Sequence, residues 1–350
     1  METGSNGCYP DAIANVEQLE EMISRPTDGA VEALRRLDGD MIVLGVGGKM
    51  GPSLVRMAKR ADESAGTKRR IIGVDLFPSG NQDEKLRAVG IETIKCDLLD
   101  SDQLAKLPDA PNVIFMVGMK FGSTGQESLT WAMNAFLPGL VAQKYRKSRI
   151  VVFSTGNIYG LTPVALGGPV ESAAPNPVGE YAISALGRER IFEHFSRSLG
   201  IPTAIIRLNY SIEMRYGVLV DLAQKVLAGE AVDLTMGHAN VIWQGDANAM
   251  VLQSFGCVSS PPFVVNVAGP EIISIRQVAE QFGELMGKKV TFEGAESPDA
   301  LLSNGQLGYR LFGHPQVSIR QMVQWIADWV MRGGESLGKP THFESRDGRF

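Results

Sequence analysis

Residues Met41 to Gly51 read MIVLGVGGKMG. Four apolar residues break into glycines at Gly45, Gly47, Gly48 and Gly51, and Pro52 opens an apolar-periodic helix. A buried parallel strand that turns sharply into a helix needs glycine where the backbone bends, where it approaches a pyrophosphate and where helix packs on strand. The helix N-terminus then faces the phosphates, because its free N–H groups and dipole favour an anion. Lys49 and Met50, lying between the last two glycines, belong to the same turn. The stretch predicts a dinucleotide site.

Glycines alone would also suit a tight turn with no ligand. The fingerprint has a second half, an acid at the end of the next strand about 20 residues beyond the loop. The run IIGVD, after a helix over 54–61, supplies Asp75. A carboxylate there accepts hydrogen bonds from both ribose hydroxyls and repels a 2′-phosphate, so NAD is expected in preference to NADP.

Around this centre the chain has 350 residues, 44% of them hydrophobic and 21% charged, with a net charge of −5. That is a globular composition with enough length for one large or two modest domains. The acidic balance, with no basic run beyond Lys68, Arg69 and Arg70, argues against nucleic acid as a partner. Cys8, Cys96 and Cys257 are too few and scattered for a disulfide framework, and form no zinc spacing with His194, His238, His314 and His342, so no metal is expected. The opening METGSNG lacks an apolar signal core, and no apolar run approaches the ~20 residues of a membrane span. A cytoplasmic protein with a small-molecule substrate and no membrane partner is expected.

Residues 1–39 carry helical patterns around Val16, Leu19, Met22 and Ile23 and around Val31, Leu34 and Leu37, and are expected to pack on the outside of the sheet or on a partner. After Asp75 come a helix over 83–89, a strand over 92–96, Asp97 and Leu98, a helix over 103–107 and a strand over 113–117 ending at Val117 and Gly118. Strands alternating with helices predict an α/β fold, a doubly wound parallel sheet whose strand ends, with Asp97, Gly118 and Lys120, line one crevice. A helical pattern over 128–145 is interrupted by Pro138 and Gly139, and RIVVFSTGNIYG then places hydroxyls at Ser154 and Thr155 after a buried strand. The Pro- and Gly-rich loop 161–178 reads as a lid or substrate wall. The helix 180–197 carries Tyr181 in its first turn, and 203–207 is another buried strand. Residues 40–207 therefore form the expected dinucleotide-binding domain. Residues 208–331 form mainly a smaller C-terminal substrate-binding lobe, with some segments free to return to the sheet, and a polar tail, expected to be partly disordered, follows from 332 to 350.

Residues 40–329 resemble an extended short-chain dehydrogenase/reductase of the NAD-dependent epimerase/dehydratase family. Gly45, Gly48 and Gly51 fall on its GxxGxxG, Asp75 on its ribose-binding acid, and Asp97 with Leu98 on the pair beside adenine. The loop VGMKFGSTGQES resembles one whose lysine, here Lys120, contacts the cofactor, and Asn134 falls on the family's asparagine in the next helix. Thr155 takes the catalytic Ser/Thr position and Tyr181 that of the catalytic tyrosine. The resemblance implies a Rossmann-type sheet, NAD, and a homodimer contact through the helices 128–145 and 180–197.

The chain departs from the family at the YxxxK motif, which reads Tyr181-Ala-Ile-Ser-Ala185. A tyrosine of pKa about 10 is only ~0.1% ionised at pH 7, and the family's ammonium favours the phenolate. Arg188, at i+7 on the same helix face, is the candidate replacement and is read as catalytic. Lys120 and the charge of oxidised nicotinamide are the alternatives. On the substrate side the strand after the tyrosine helix continues into Arg207-Leu-Asn209-Tyr210, and the family's RDxxHVxD arginine becomes Ala239 while Asp246 remains. A nucleotide diphosphate would lose a charge-assisted clamp. The expected substrate is therefore a small sugar, sugar acid or polyol without a nucleotide. Thr155, Gly156, Asn157, Asn209, Tyr210, Arg215 and Trp243 are its candidate contacts. Tyr210 and Trp243 are either ring-stacking or core aromatics, and Arg215 either a carboxylate clamp or a surface ion pair.

The resemblance implies hydride transfer at a secondary alcohol or ketone, with Thr155 and Tyr181 holding one substrate oxygen. Dehydrogenation or reduction, epimerisation and dehydration all begin in this way, and the sequence leaves them open. An NAD-binding sensor or scaffold without turnover is the rival reading, motivated by Ala185.

Overall fold

The computed structural model describes residues 9–78, 80–120, 122 and 124–348. Cys8 and the rest of residues 1–8, Phe121 and Ser123 of the lysine loop, and the last two residues of the tail lie outside them.

The stretch Met41–Leu44 forms strand β1, buried at every position because both faces of the sheet are covered. Ile42 and Leu44 face one apolar layer and Met41 and Val43 the other, the period of two that a strand imposes. Around it stand β2 (Ile71–Asp75), β3 (Glu92–Lys95), β4 (Asn112–Phe115), β5 (Arg149–Thr155), β6 (Thr203–Leu208) and β7 (Phe263–Val267). The seven are parallel in the order β7-β6-β5-β4-β1-β2-β3. Met41 pairs with Ile71 on one side and Asn112 on the other, so the winding reverses between β1 and β4. A doubly wound sheet opens its ligand crevice at such a point, outside the carboxyl ends of the strands.

The helices Asp28–Arg36, Gly51–Ala65 and Gln244–Gln253 supply one layer on the sheet, and Leu137–Lys144 with Gly179–Leu199 the opposite one. The smaller lobe has its own core, built from Val16–Ile23, Val218–Ala228, Ile275–Met286 and Ile319–Met331 around Trp243 and Trp325.

Several expectations change. The two N-terminal helices do not share one outside face: Leu19, Met22 and Ile23 enter the lobe core, whereas Ala30 and Leu34 enter the sheet layer. Within 208–331, where some segments are expected to be free to return to the sheet, β7 forms an edge of the main sheet and Gln244–Gln253 lies on it. The rod Glu127–Trp131, Ala132–Phe136, Leu137–Lys144 does not break at Pro138. Pro138 lacks the N–H that would bond the Asn134 carbonyl in α register, and the rod passes through a π turn at Ala132–Phe136. The tail is ordered through residue 348. Phe343 is buried in the lobe core, Thr341 donates to Asp221 through both its N–H (2.8 Å) and its hydroxyl (2.5 Å), and Arg346 pairs with Asp299 at 2.5 Å. Loop 161–178, expected as a lid or substrate wall, packs on the lobe, its Thr162–Pro163 pairing antiparallel with Asp299–Ala300, and none of its residues lines the crevice.

Candidate active site

The crevice holds a cavity of about 1170 Å³, with the glycine turn at one end and the lobe at the other. Gly45 sits at φ +87°, where a Cβ would also lie 2.9 Å from Val117. A Cβ on Gly51 would lie 2.1 Å from the Val46 carbonyl oxygen, so this glycine permits helix–strand packing and stays out of the cavity. One on Gly47 would lie 2.8 Å from the Asp75 carboxyl carbon. Gly48 differs, because its Cβ would meet nothing closer than 3.6 Å and would grow into the cavity that the turn lines. This cradle, which any side chain would fill, fits a ligand whose phosphates approach the backbone.

Asp75 at the end of β2 accepts from Gly47 N–H at 2.8 Å and from Leu76 N–H at 2.8 Å, which aims its carboxylate across the mouth of the turn. Asp97 and Leu98 line the same end, as do Met50, Val117 and Gly118.

Farther in, Thr155 at the end of β5 and Tyr181 in the first turn of Gly179–Leu199 face the cavity together. Thr155 Oγ1 accepts from Asn157 N–H at 3.2 Å, which leaves its own O–H to donate. Lys120 approaches from the end of β4, with Nζ 6.0 Å from the centroid of the Tyr181 ring. Its ammonium is buried, and burial lowers its pKa to about 8, against the pull of Asp221.

Arg188 does not take the place expected of it. It is 5% exposed and lies beneath Gly118, outside the cavity lining. Nη1 donates to Phe153 O at 2.8 Å and Nη2 to Asn134 Oδ1 at 2.6 Å, while Nε is buried without a partner. Asn134 in turn clasps Met119, accepting from its N–H at 2.9 Å and donating to its carbonyl at 3.1 Å. Both residues hold the loop that carries Lys120, so the structure gives them positioning roles in place of the catalytic and cofactor contacts expected. Ala185 is fully buried against Ile158 and Tyr159.

On the lobe side, Asn157, Asn209, Tyr210 and Arg215 line the cavity. Asn209 spends its amide on Asn240 Oδ1 at 2.7 Å, and Tyr210 sits at φ +35°, a conformation unusual for a tyrosine. Arg215 is engaged by Glu20 at 2.8 Å and Glu213 at 3.1 Å, an ion pair that is largely buried in place of the surface pair expected as one alternative. Gly156 packs against Ser303 and Asn209 behind the wall, its Cβ position 2.6 Å from Ser303 Oγ. Trp243 is 2% exposed and 5.6 Å from Trp325, a core residue that meets no cavity. It pairs in a short parallel ladder with Ile212, and both belong to the lobe core.

Sequence reading missed Ser211, Tyr216, Lys339 and Thr341, which also line the cavity. No periodicity marks them, and the last two come from the polar tail. Lys49 was expected at the cofactor turn. Its side chain instead crosses to the lobe, donating to Ser211 O at 2.7 Å with Nζ 4.1 Å from the Tyr216 ring centroid.

The profile of the NAD dependent epimerase/dehydratase family matches residues 41–236, which contain the glycine turn, Asp75, Thr155 and Tyr181. The chain belongs to this family. It is accordingly an enzyme, with NAD as its cofactor. Among solved structures the fold is similar to UDP-glucuronic acid 4-epimerase from Bacillus cereus in complex with NAD, with TM-score 0.70, 16% identity, and coverage of 85% of this chain and 99% of that one. It is also similar to UDP-glucose 4-epimerase from Thermotoga maritima, with TM-score 0.69, 18% identity, and coverage of 84% and 99%. A third is dTDP-glucose 4,6-dehydratase from Bacillus anthracis in complex with NAD, with TM-score 0.70, 16% identity, and coverage of 84% and 97%. Comparison with curated protein sequences finds no match. Among the described residues no helix is long and apolar enough to cross a membrane, and no group of His, Cys, Asp or Glu is placed to hold a metal ion.

Proposed function

We propose that this family member transfers hydride between NAD and the carbon of a secondary alcohol or ketone in a small sugar, sugar acid or polyol that carries no nucleotide. The observation that carries the reading is that Thr155 and Tyr181, from two separate elements, both line the cavity that the glycine turn and Asp75 also line. Bound NAD supplies the hydride acceptor. Tyr181 Oη takes the proton from the substrate hydroxyl in oxidation and returns it in reduction, and Thr155 donates to the same oxygen as charge develops there. Lys120 is the ammonium that favours the phenolate, standing in for the lysine absent at Ala185. Glycine turn, Asp75 and the Asp97-Leu98 pair hold the dinucleotide.

The neighbours described above are named for UDP- and dTDP-sugars, so the nucleotide-free substrate needs its own support. It comes from Ala239, 1% exposed and paired with Ile273, where the family's diphosphate-binding arginine stands, and from Arg215, already held by two carboxylates. The test is NAD reduction by purified enzyme with free sugars, polyols and sugar acids set against UDP-glucose and UDP-glucuronate. Turnover of free compounds that falls by about 10²–10⁴-fold in Tyr181→Phe supports the reading. Turnover confined to nucleotide sugars, or unchanged in Tyr181→Phe, overturns it. Retention of NAD through a cycle identifies an epimerase or dehydratase, and release of NADH a dehydrogenase.

A homodimer through the rod 127–144 and the helix Gly179–Leu199 is part of the proposal. Leu129, Trp131, Phe136 and Ile183 are 41%, 40%, 59% and 41% exposed there. Light scattering that returns a monomer mass overturns this part.

A further inference from the structure

Lys49 is placed in a way the cofactor turn does not require. Its backbone belongs to that turn, but its stem leaves it and carries the ammonium to the opposite wall. There it rests on neutral groups, the Ser211 carbonyl oxygen at 2.7 Å and the face of Tyr216 at 4.1 Å from the ring centroid. Among the described residues it has no ion-pair partner.

The charged groups that bear on it are Glu213 and Asp221, which favour the ammonium, and Arg215 and Lys120, which oppose it. Both carboxylates are committed elsewhere. Glu213 accepts from Arg215 N–H at 2.9 Å and from its Nε at 3.1 Å, and Asp221 Oδ2 accepts both bonds of Thr341. Lys49 is half-buried in the cavity wall, and desolvation of its ammonium lowers its pKa to about 7. Lys120 is a second buried ammonium in the same cavity. A desolvated ammonium such as that of Lys49, held only by neutral groups, is costly in a low-dielectric site, and an anion arriving beside it recovers that cost.

The cofactor's phosphates are served by the N–H groups of the glycine turn, on the wall Lys49 has left. The nucleotide diphosphate of a sugar nucleotide would lack its arginine at Ala239. The anion that fits is one on the substrate's own skeleton. We propose that Lys49 anchors an acidic group of the substrate, a carboxylate or a phosphate on a polyol chain, while the reacting carbon lies at Thr155 and Tyr181. This rests on the hydride-transfer reading above and adds the charge of the substrate to it.

The experiment measures binding to the NAD-loaded enzyme by calorimetry and thermal shift. D-Gluconate supplies a carboxylate, D-glucose 6-phosphate a phosphate, and D-glucitol and D-glucose the neutral counterparts. At least one acid is expected to bind tenfold or more tighter than its neutral counterpart, the scale of one charge-assisted hydrogen bond. Lys49→Met is expected to abolish the preference and Lys49→Arg to restore it, which a merely misfolded loop would not show. The acid that wins identifies the anion. Equal binding of acids and neutrals, no binding of either acid, or a preference that survives in Lys49→Met overturns the proposal. Neutral compounds oxidised through Tyr181 with no role for Lys49 would sink the acid subsite and leave hydride transfer standing. Acids bound through Lys49 by an enzyme that reduces NAD with no free compound would do the reverse.

Discussion

Arg188 Nη2 donates to Asn134 Oδ1 at 2.6 Å beneath Gly118, and this bond joins the helix of Tyr181 to the π turn on the neighbouring rod. A guanidinium one turn beyond the missing lysine thus supports the loop carrying Lys120 and stays behind the cavity. Burial also lowers its pKa.

Arg188→Ala is expected to lower stability by about 2–4 kcal/mol, since it leaves Phe153 O unpaired in the core and opens a cavity. The alkaline limb of the rate profile should keep its midpoint while kcat falls, as for a positioning residue. A chemical-denaturation curve with the pH profile checks both. A shifted limb in an unchanged fold would return Arg188 to the chemistry.

Lys120→Met should move that limb. An ammonium near the phenol favours proton loss from the substrate hydroxyl through Tyr181, so its removal should slow alcohol oxidation near pH 7 by about tenfold and displace its alkaline limb upward. Ketone reduction, which starts from the neutral phenol, should suffer less. In the wild type the help fades as pH rises past about 8, where Lys120 itself loses its proton. Steady-state rates in both directions between pH 6 and 10 decide it.

Asp75→Ala removes the acceptor for Gly47 N–H and the proposed ribose contacts. NAD affinity is expected to fall about 10- to 100-fold, the loss of charge-assisted hydrogen bonds, and the preference over NADP to shrink with the loss of repulsion toward a 2′-phosphate. Fluorescence titration with NADH and NADPH measures the ratio.

Asp246, at the start of Gln244–Gln253, has its pKa raised by burial to about 6 from 3.8, despite hydrogen bonds from the Gln316 and Val317 N–H groups. The native state therefore holds this proton more tightly than the unfolded chain. Its contribution is present below pH about 4 and is lost as pH rises through about 6, a change of about 2–3 kcal/mol. Asp246→Asn has no such proton, so its stability relative to wild type should climb between pH 4 and 6 and then level off. Parallel unfolding curves across this window test the sign, and a flat difference would show Asp246 ionised throughout.

Local chemistry was legible wherever one short segment contained the whole reason for its conformation. Met41 to Gly51 reads as strand, turn and helix because backbone sterics act over a few residues, and the strand that presents Asp75 follows from the same alternation. Thr155 and Tyr181 were found as motif positions. Their shared cavity depends on β5 and the helix Gly179–Leu199 packing together.

Side-chain destinations were decided by tertiary structure. Trp243 meets Trp325 in a core assembled from both ends of the chain, and Trp325 Nε1 donates to Pro10 O at 2.8 Å, a contact with no trace in local spacing. The tail read as polar because its hydrophilic residues outnumber Phe343, yet that one ring and the Thr341–Asp221 bonds dock it. Arg188 and Lys49 are long stems whose charged ends can lie several ångströms to either side of their backbone. Sequence by itself determined the glycine turn and the parallel sheet, since these depend on neighbours along the chain. The burial of Arg188 and the crossing of Lys49 were settled by packing between distant segments, because the energy of a buried charge depends on which partners and walls surround it.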